Sequence, residues 1–334
     1  MKNPFGFCTL IAAVVCAACL ASSEANAQTP ILSFSSSGGG WGTWVADDAK
    51  ATVAPDNPAP ESVTNLLQPA NIPGAWNISF AFPDQSKASI DGDSLCIHQD
   101  KVGADPWLAS ISQTDLPIKE GQAYVLSFNA KADKTRPIFV TMQNFGFSSG
   151  DWHDLGLAQD VQLSSEWQSY SYSFTASKLT QDGSALFIHV GQQTGAVWVS
   201  GFSLKPASGT LTLPVPSKAV KVSLEKPSDT DWHVQYISDP FDLIDGHKYA
   251  LSYMIKSDVP RKISCMARLN CPDWHAVSDA DWSVSAAPAW RSHRIVFTAK
   301  HSMPGHNVVV FNLGGSGSGS FVSIGDVKMV DLGN

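Results

Sequence analysis

The tripeptide Asp-Trp-His occurs three times in this chain, at 151–153, 231–233 and 273–275. An indole offers a flat apolar face that can stack on the apolar side of a pyranose ring, while a neighbouring imidazole, amide or carboxylate bonds the ring hydroxyls. Trp152 and Trp274 fall in Gly/Asp/Ser-rich connections, where loops carry binding groups, so both are read as ligand contacts together with His153 and His275. Trp107 and Trp232 stand at strand starts, and for them two readings stay open, a stacking platform or a core tryptophan. Gln143 and Arg268 occupy matching places on a repeated strand, as do His189 and Asn312 on another. Each interrupts apolar surroundings and is either a satisfied core group or a cleft residue.

Catalysis on the same residues would need an acid/base pair. Glycoside hydrolysis uses two carboxylates about 5 to 10 Å apart. Asp151, Asp154, Asp273, Asp279 and Asp281 lie near the Trp-His units, with Asp151 and Asp273 the weak catalytic candidates. Acidic loop residues are more often simply solvated. Gly-x-Ser-x-Gly occurs at 315–319, but in a Gly/Ser run rather than a strand-to-helix elbow, so it reads as a turn. No Cys-x-x-Cys or His-x-x-x-His spacing supports zinc.

The elements that must position these groups come in two copies. Trp107 and the run Gly121-Gln122-Ala123-Tyr124-Val125-Leu126-Ser127-Phe128 reappear as Trp232 and Gly246-His247-Lys248-Tyr249-Ala250-Leu251-Ser252-Tyr253, an offset of 125 residues. Trp152 matches Trp274, Trp167 matches Trp290, and Phe174 matches Phe297 in nearly the same register. Such a unit is large enough to hold its own core. Within each copy apolar residues alternate with polar ones, the period of a half-buried strand, and no helical stripe of ten residues stands out in the mature chain. The expected fold is all-β, two tandem jelly-roll β-sandwich domains over 76–206 and 210–334. Trp167 and Trp290 are expected in the cores, and Trp198 is expected to be exposed only if its strand is an edge.

Residues 1–27 read as a secretory signal, with Lys2, an apolar run from Leu10 to Leu20 and an Ala-Asn-Ala site before Gln28. That predicts a secreted or periplasmic protein. No stretch approaches the roughly 20 apolar residues of a membrane-spanning helix. Residues 28–75 read as a tether, Ser/Gly-rich up to Gly40, with one strand from Trp44 to Val53. Three cysteines remain after the leader, and either a Cys265–Cys271 bridge or three buried thiols, Cys96 included, would suit them.

The dispersed pattern of a tryptophan, Gly-x-x-Tyr-x-Leu-Ser-Phe/Tyr, Glu-Trp-Gln-x-Tyr-x-x-x-Phe and a closing apolar strand resembles the CenC-type carbohydrate-binding modules. That resemblance implies jelly rolls that hold xylan, β-glucan or amorphous cellulose. It also implies a structural calcium at the closing strand, which the second copy retains in part as Asp326 and the first copy, Val199 to Leu204, lacks.

With a net charge of −8, a pI near 5.5 and 16% charged residues, the chain offers no basic face for nucleic acid. Its 11 tryptophans suit an uncharged, hydrated ligand. The expected function is non-catalytic binding of a neutral polysaccharide or oligosaccharide, with no cofactor beyond that calcium. A glycoside hydrolase or lyase, or a protein–protein adaptor, is the alternative.

Overall fold

The structure is a computed structural model that describes residues 29–34, 40–145, 149–226, 228–278, 282–315 and 320–334. The leader, Ser35–Gly39, Asp279, Asp281 and Ser316–Gly319 lie outside the described residues.

Alternation decides which side of each strand is buried. In Ala123–Ala132 the side chains of Tyr124, Leu126, Phe128, Ala130 and Ala132 are buried and their neighbours are not. A glycine with positive φ precedes this strand and its counterpart Lys248–Ser257, Gly121 at 74° and Gly246 at 88°, and lets the chain turn in where a Cβ would be strained. Three residues on, the tyrosine hydroxyl braces that turn: Lys119 N donates to Tyr124 Oη at 2.9 Å and Ile244 N to Tyr249 Oη at 2.8 Å. The repeated Gly-x-x-Tyr is thus a turn and its brace.

Strands of this kind form two antiparallel β-sandwiches. In the first module a front sheet runs in the order Asp154–Leu163, Arg136–Asn144, Ser184–His189, Ala109–Thr114, Asn77–Phe80. Its back sheet runs Gln168–Thr175, Ala123–Ala132, Gly195–Pro206, Ser94–Gln99, Ser86–Asp91. The second module repeats this with a front sheet of Trp41–Val45, Val234–Ser238, Asn307–Asn312, Arg261–Leu269 and Trp282–Ala286. Its back sheet is Arg291–Thr298, Lys248–Ser257, Ser320–Gly333, Ala219–Lys226 and Lys50–Asp56. Each pair of sheets encloses one apolar cluster.

The region before residue 57 differs from the expected tether. Trp41–Val45 pairs with Val234–Ser238, Lys50–Asp56 with Ala219–Lys226, and Leu32–Ser33 with the closing strand. The single strand expected from Trp44 to Val53 is two strands in different sheets. Phe34 and Trp41 enter the second core. The chain therefore leaves the second module after Asp56 and re-enters it at Ala219, with the first module inserted between, where the first module has only the turn Gly92–Asp93 between Ser86–Asp91 and Ser94–Gln99. The physical reason is burial: Phe34 and Trp41 are apolar and fill the second core, and the backbones beside them pair with strands of that module.

The two modules are joined by more than a linker. Trp290, Met254 and Ala219 form a small apolar cluster on the outer face of the second back sheet. Buried Arg291 donates from Nη2 to Leu66 O at 2.7 Å, and its guanidinium is pushed down to about 10 by burial. His293 Nδ1 meets Asp115 at 3.1 Å, both largely shielded, and Lys256 pairs with Glu61. Trp290, expected in the core, is 2% exposed but buried in this outer cluster rather than between the two sheets. Trp167, its counterpart, is 45% exposed and has the Lys131 ammonium 5.3 Å from its ring centroid. The core assignment fails there: the ring stands outside the first module's apolar cluster. Trp198 sits on an inner strand yet is half-buried, its Nε1 donating to Asp91 at 3.1 Å.

All three mature-region cysteines are free, so the Cys265–Cys271 bridge is not formed. Cys265 points into the second core, where burial pushes its thiol far up.

Candidate functional site

On the outer face of the second front sheet lies a cleft of about 670 Å³. Strand alternation supplies its floor. Ile263, Cys265, Ala267 and Leu269 point into the core, which turns Ser264, Met266 and Arg268 outward. By the same rule Tyr236 is inward and Gln235 and Ile237 outward, Phe311 inward and Asn312 outward. Gln235 Nε2 donates to Asn312 Oδ1 at 2.9 Å, and Arg268 Nη2 donates to Gln235 Oε1 at 3.2 Å. The polar floor is therefore a fixed network rather than a set of loose amides.

The walls are indoles. Trp44, on the edge strand from the N-terminal segment, lies nearly parallel to Trp232 with ring centroids 5.9 Å apart and an interplanar angle of 27°. At the other end Trp274 has the Arg268 guanidinium 4.9 Å from its ring centroid, a cation–π contact. All three indoles are exposed. Trp232 is held by the short 3₁₀ turn Asp231–His233, which hangs on the hydrogen bond from Gly314 N to Asp231 O at 2.7 Å. A Cβ at Gly314 would come within 2.2 Å of Thr230 O, so this strand has to end in glycine. Gly191 does the same for Trp107 in the first module, its N–H donating to Pro106 O at 2.8 Å.

The three Asp-Trp-His units serve two structural ends. His153 Nδ1 lies 2.7 Å from Asp151 Oδ1 and its Nε2 2.9 Å from Lys178 O. His275 Nδ1 lies 2.8 Å from Asp273 Oδ2 and its Nε2 3.1 Å from His301 O. Both ring nitrogens face acceptors in each case, so both imidazoles are held above their ordinary value: His153 chiefly by Asp151, His275 chiefly by the His301 carbonyl and then Asp273. The Asp151 carboxyl is lowered in turn by its bond to His153. These are staples across a loop, with no free nitrogen left for a ligand, and Asp151 and Asp273 are the other halves of the staples. In the second loop the staple holds Asp273 at φ 98° and Trp274 at φ 47°, strained values that raise the indole over the cleft. The third unit is different. His233 Nδ1 faces Ser228 Oγ at 2.6 Å and Asp48 at 3.0 Å, while Asp231 Oδ1 accepts from Trp232 N at 2.8 Å.

The residues expected to bind are thus divided. Trp232, Trp274 and Arg268 meet in one cleft, and Asn312 joins them. Trp107, Gln143, Trp152 and His153 belong to the first module. Trp107 is 60% exposed, so the core reading for it is excluded. Trp152 is exposed but packed edge-on to Phe145 and Phe187, at 5.7 and 6.1 Å between centroids. Between them Phe139, His189 and Phe187 stack face to face at 5.9 and 5.2 Å, turning their faces to one another. His189 accepts or donates with Ser110 Oγ at 2.7 Å, and burial lowers it to about 4. Trp44, Gln235 and Ser264 were not among the expected site residues. For Trp44 a signal existed in Trp41-Gly42-Thr43-Trp44-Val45, alternating residues that put one indole in the core and the other outside.

The calcium expected at Asp326 does not fit. Asp326 Oδ1 accepts from Lys218 N at 3.0 Å and Ser217 Oγ at 2.8 Å, and Oδ2 from Ser217 N at 2.8 Å. The carboxylate is committed to capping its own loop. Among the described residues no group of three or more His, Cys, Asp or Glu is gathered that could hold a metal, whereas calcium takes six to eight oxygens.

Fold and cleft together define a β-sandwich protein with a stacking groove on a sheet face. Residues 79–196, within the first module, match the family model described as a carbohydrate binding domain, CBM_4_9. Among solved structures, the second N-terminal cellulose-binding domain of Cellulomonas fimi β-1,4-glucanase C is 22% identical over 44% of this chain and 96% of its own, with a TM-score of 0.37. A CBM4 structure is 22% identical over 43% of this chain and 94% of its own, with a TM-score of 0.36. The N-terminal CBM22-1–CBM22-2 tandem of Paenibacillus barcinonensis Xyn10C is 10% identical over 83% of this chain and 99% of its own, with a TM-score of 0.33. No curated protein matches the chain. No helix among the described residues is long and apolar enough to cross a membrane.

Proposed function

We propose that this chain is an exported, non-catalytic polysaccharide-binding protein whose main site is the cleft of the second module. The observation that carries the reading is the near-parallel pair Trp44 and Trp232 beside the Gln235–Asn312 amide pair. Stacked on each other, the two indoles keep one face each for the apolar side of a pyranose ring of a neutral backbone such as xylan or β-glucan, and the amides suit its hydroxyls. A binding role is further supported by the staples: the carboxylates nearest the loop tryptophans, Asp151 and Asp273, are tied to histidines rather than presented as an acid/base pair. Affinity electrophoresis of the mature protein through soluble xylan, β-glucan and mannan is the test. Retardation that disappears in the Trp44→Ala, Trp232→Ala double variant is expected, and no retardation on any of them refutes the proposal. Reducing ends released from the same polymers would overturn its non-catalytic part.

A further inference from the structure

Arg268 is 7% exposed on the cleft side of the front sheet, and burial lowers its guanidinium below the ordinary value. A buried cation is normally paired with a carboxylate. Here the guanidinium bonds only neutral oxygens, Leu269 O at 2.7 Å and Gln235 Oε1 at 3.2 Å, and lies against the Trp274 ring. It forms no ion pair among the described residues. Arg261, on the same strand, meets Asp258 at 3.4 Å. Buried Arg136 and Arg291 also bond backbone carbonyls, and what sets Arg268 apart is that it lines the cleft. Among the described residues the one carboxylate lining the cleft is that of Asp231, already accepting from Trp232 N. The guanidinium thus lies on the cleft floor between Trp274 and Gln235, and Asp231, Trp44 and Trp232 line the same cleft.

We infer that the cleft takes a glycan whose neutral backbone carries a carboxylate, a uronic acid unit, placed against Arg268. This rests on the binding function proposed above and names the ligand class for that same site. Guanidinium and carboxylate match as planar, two-pronged partners, and the shielded floor strengthens their attraction over its value in water. The neutral rings lie on Trp44 and Trp232. A uniformly charged polymer fits less well than a sparsely substituted one, because Asp231 and the net charge of −8 repel further carboxylates.

The test is calorimetric titration of the mature protein with a neutral xylo-oligosaccharide, the same oligosaccharide bearing one uronic acid, and that ligand with its carboxyl reduced to the alcohol. The uronate form is expected to bind at least about ten-fold tighter than the other two at low ionic strength, the ratio shrinking as salt is added. In Arg268→Gln the ratio of uronate to neutral affinity should collapse to about one, whatever loss the two ligands share. The wild-type comparison with the reduced ligand needs no variant and stands if Arg268→Gln fails to fold. Equal affinity of wild type for all three ligands overturns this inference and leaves glycan binding intact. A preference that survives in Arg268→Gln overturns the assignment to this residue. No affinity for any of the three, with no retardation on the polymers, overturns the binding function itself.

Discussion

At matched register positions of the two front sheets, Phe139, Phe187, His189 and Ser110 of the first module stand where Ser264, Val310, Asn312 and Gln235 stand in the second. On the neighbouring edge strands Ser79 stands where Trp44 does. Among the described residues of the first module these outward positions carry rings stacked on one another, with Trp152 edge-on to Phe187, and the rings close that part of the face. The second module puts short or planar polar groups on its floor and tryptophans at its borders, and the floor opens into a cleft. The same backbone makes a ridge or a groove according to the bulk of a few outward residues. A duplicated sequence therefore does not imply two equal sites.

The back sheets differ too, and the largest predicted effect tests that difference. Trp290→Ala should destabilise the protein by about 3–5 kcal/mol, the usual cost of removing a buried aromatic, read as a shift in denaturant midpoint. A loss below about 1 kcal/mol would show that the outer cluster with Met254 and Ala219 contributes little.

Acid should separate the two front faces. Burial depresses His189 to about 4 from an ordinary 6.5, so the unfolded chain binds the extra proton first as pH falls. Stability is unaffected above 6.5, declines as pH drops through that window, and is lower by about 3 kcal/mol below it. His189→Asn, which installs the second module's residue, should remove this acid-dependent loss in denaturant titrations from pH 7 to about 4. An unchanged acid slope in the variant contradicts the buried, neutral imidazole.

Binding should separate them next. Trp232→Ala is expected to weaken glycan binding by about 1–3 kcal/mol, against less than about 0.5 for Trp107→Ala. Comparable losses in the two would mean that both faces bind and that the closed first face is the wrong picture. The smallest effect belongs to Trp167→Ala, where the exposed ring should cost no more than about 0.5 kcal/mol of stability. A loss close to that of Trp290→Ala would erase the distinction between the two back sheets.

The alternation in Ala123–Ala132 and the Gly-x-x-Tyr turns were legible because period two and a positive-φ glycine are local properties. Trp232, Trp274, Arg268 and Asn312 were legible as polar or indole interruptions at matched places. Their meeting in one cleft, with Trp44 from a strand almost 190 residues before Trp232, was not. The histidines misled for a related reason: in Asp-x-His the side chains at i and i+2 can bond each other across a turn, and the sequence does not say whether the imidazole faces a ligand or its own loop.

The sequence by itself determined that two all-β units would form and which side of each strand would be apolar, because strand pleating couples side-chain alternation directly to burial. The tertiary structure decided where the N-terminal strands dock, since a sheet edge accepts any strand of suitable register however distant in the chain. It also decided that Trp290 is buried while Trp167 is exposed: Met254, Ala219 and Val215 pack against the one indole, and the other carries the Lys131 ammonium over its ring.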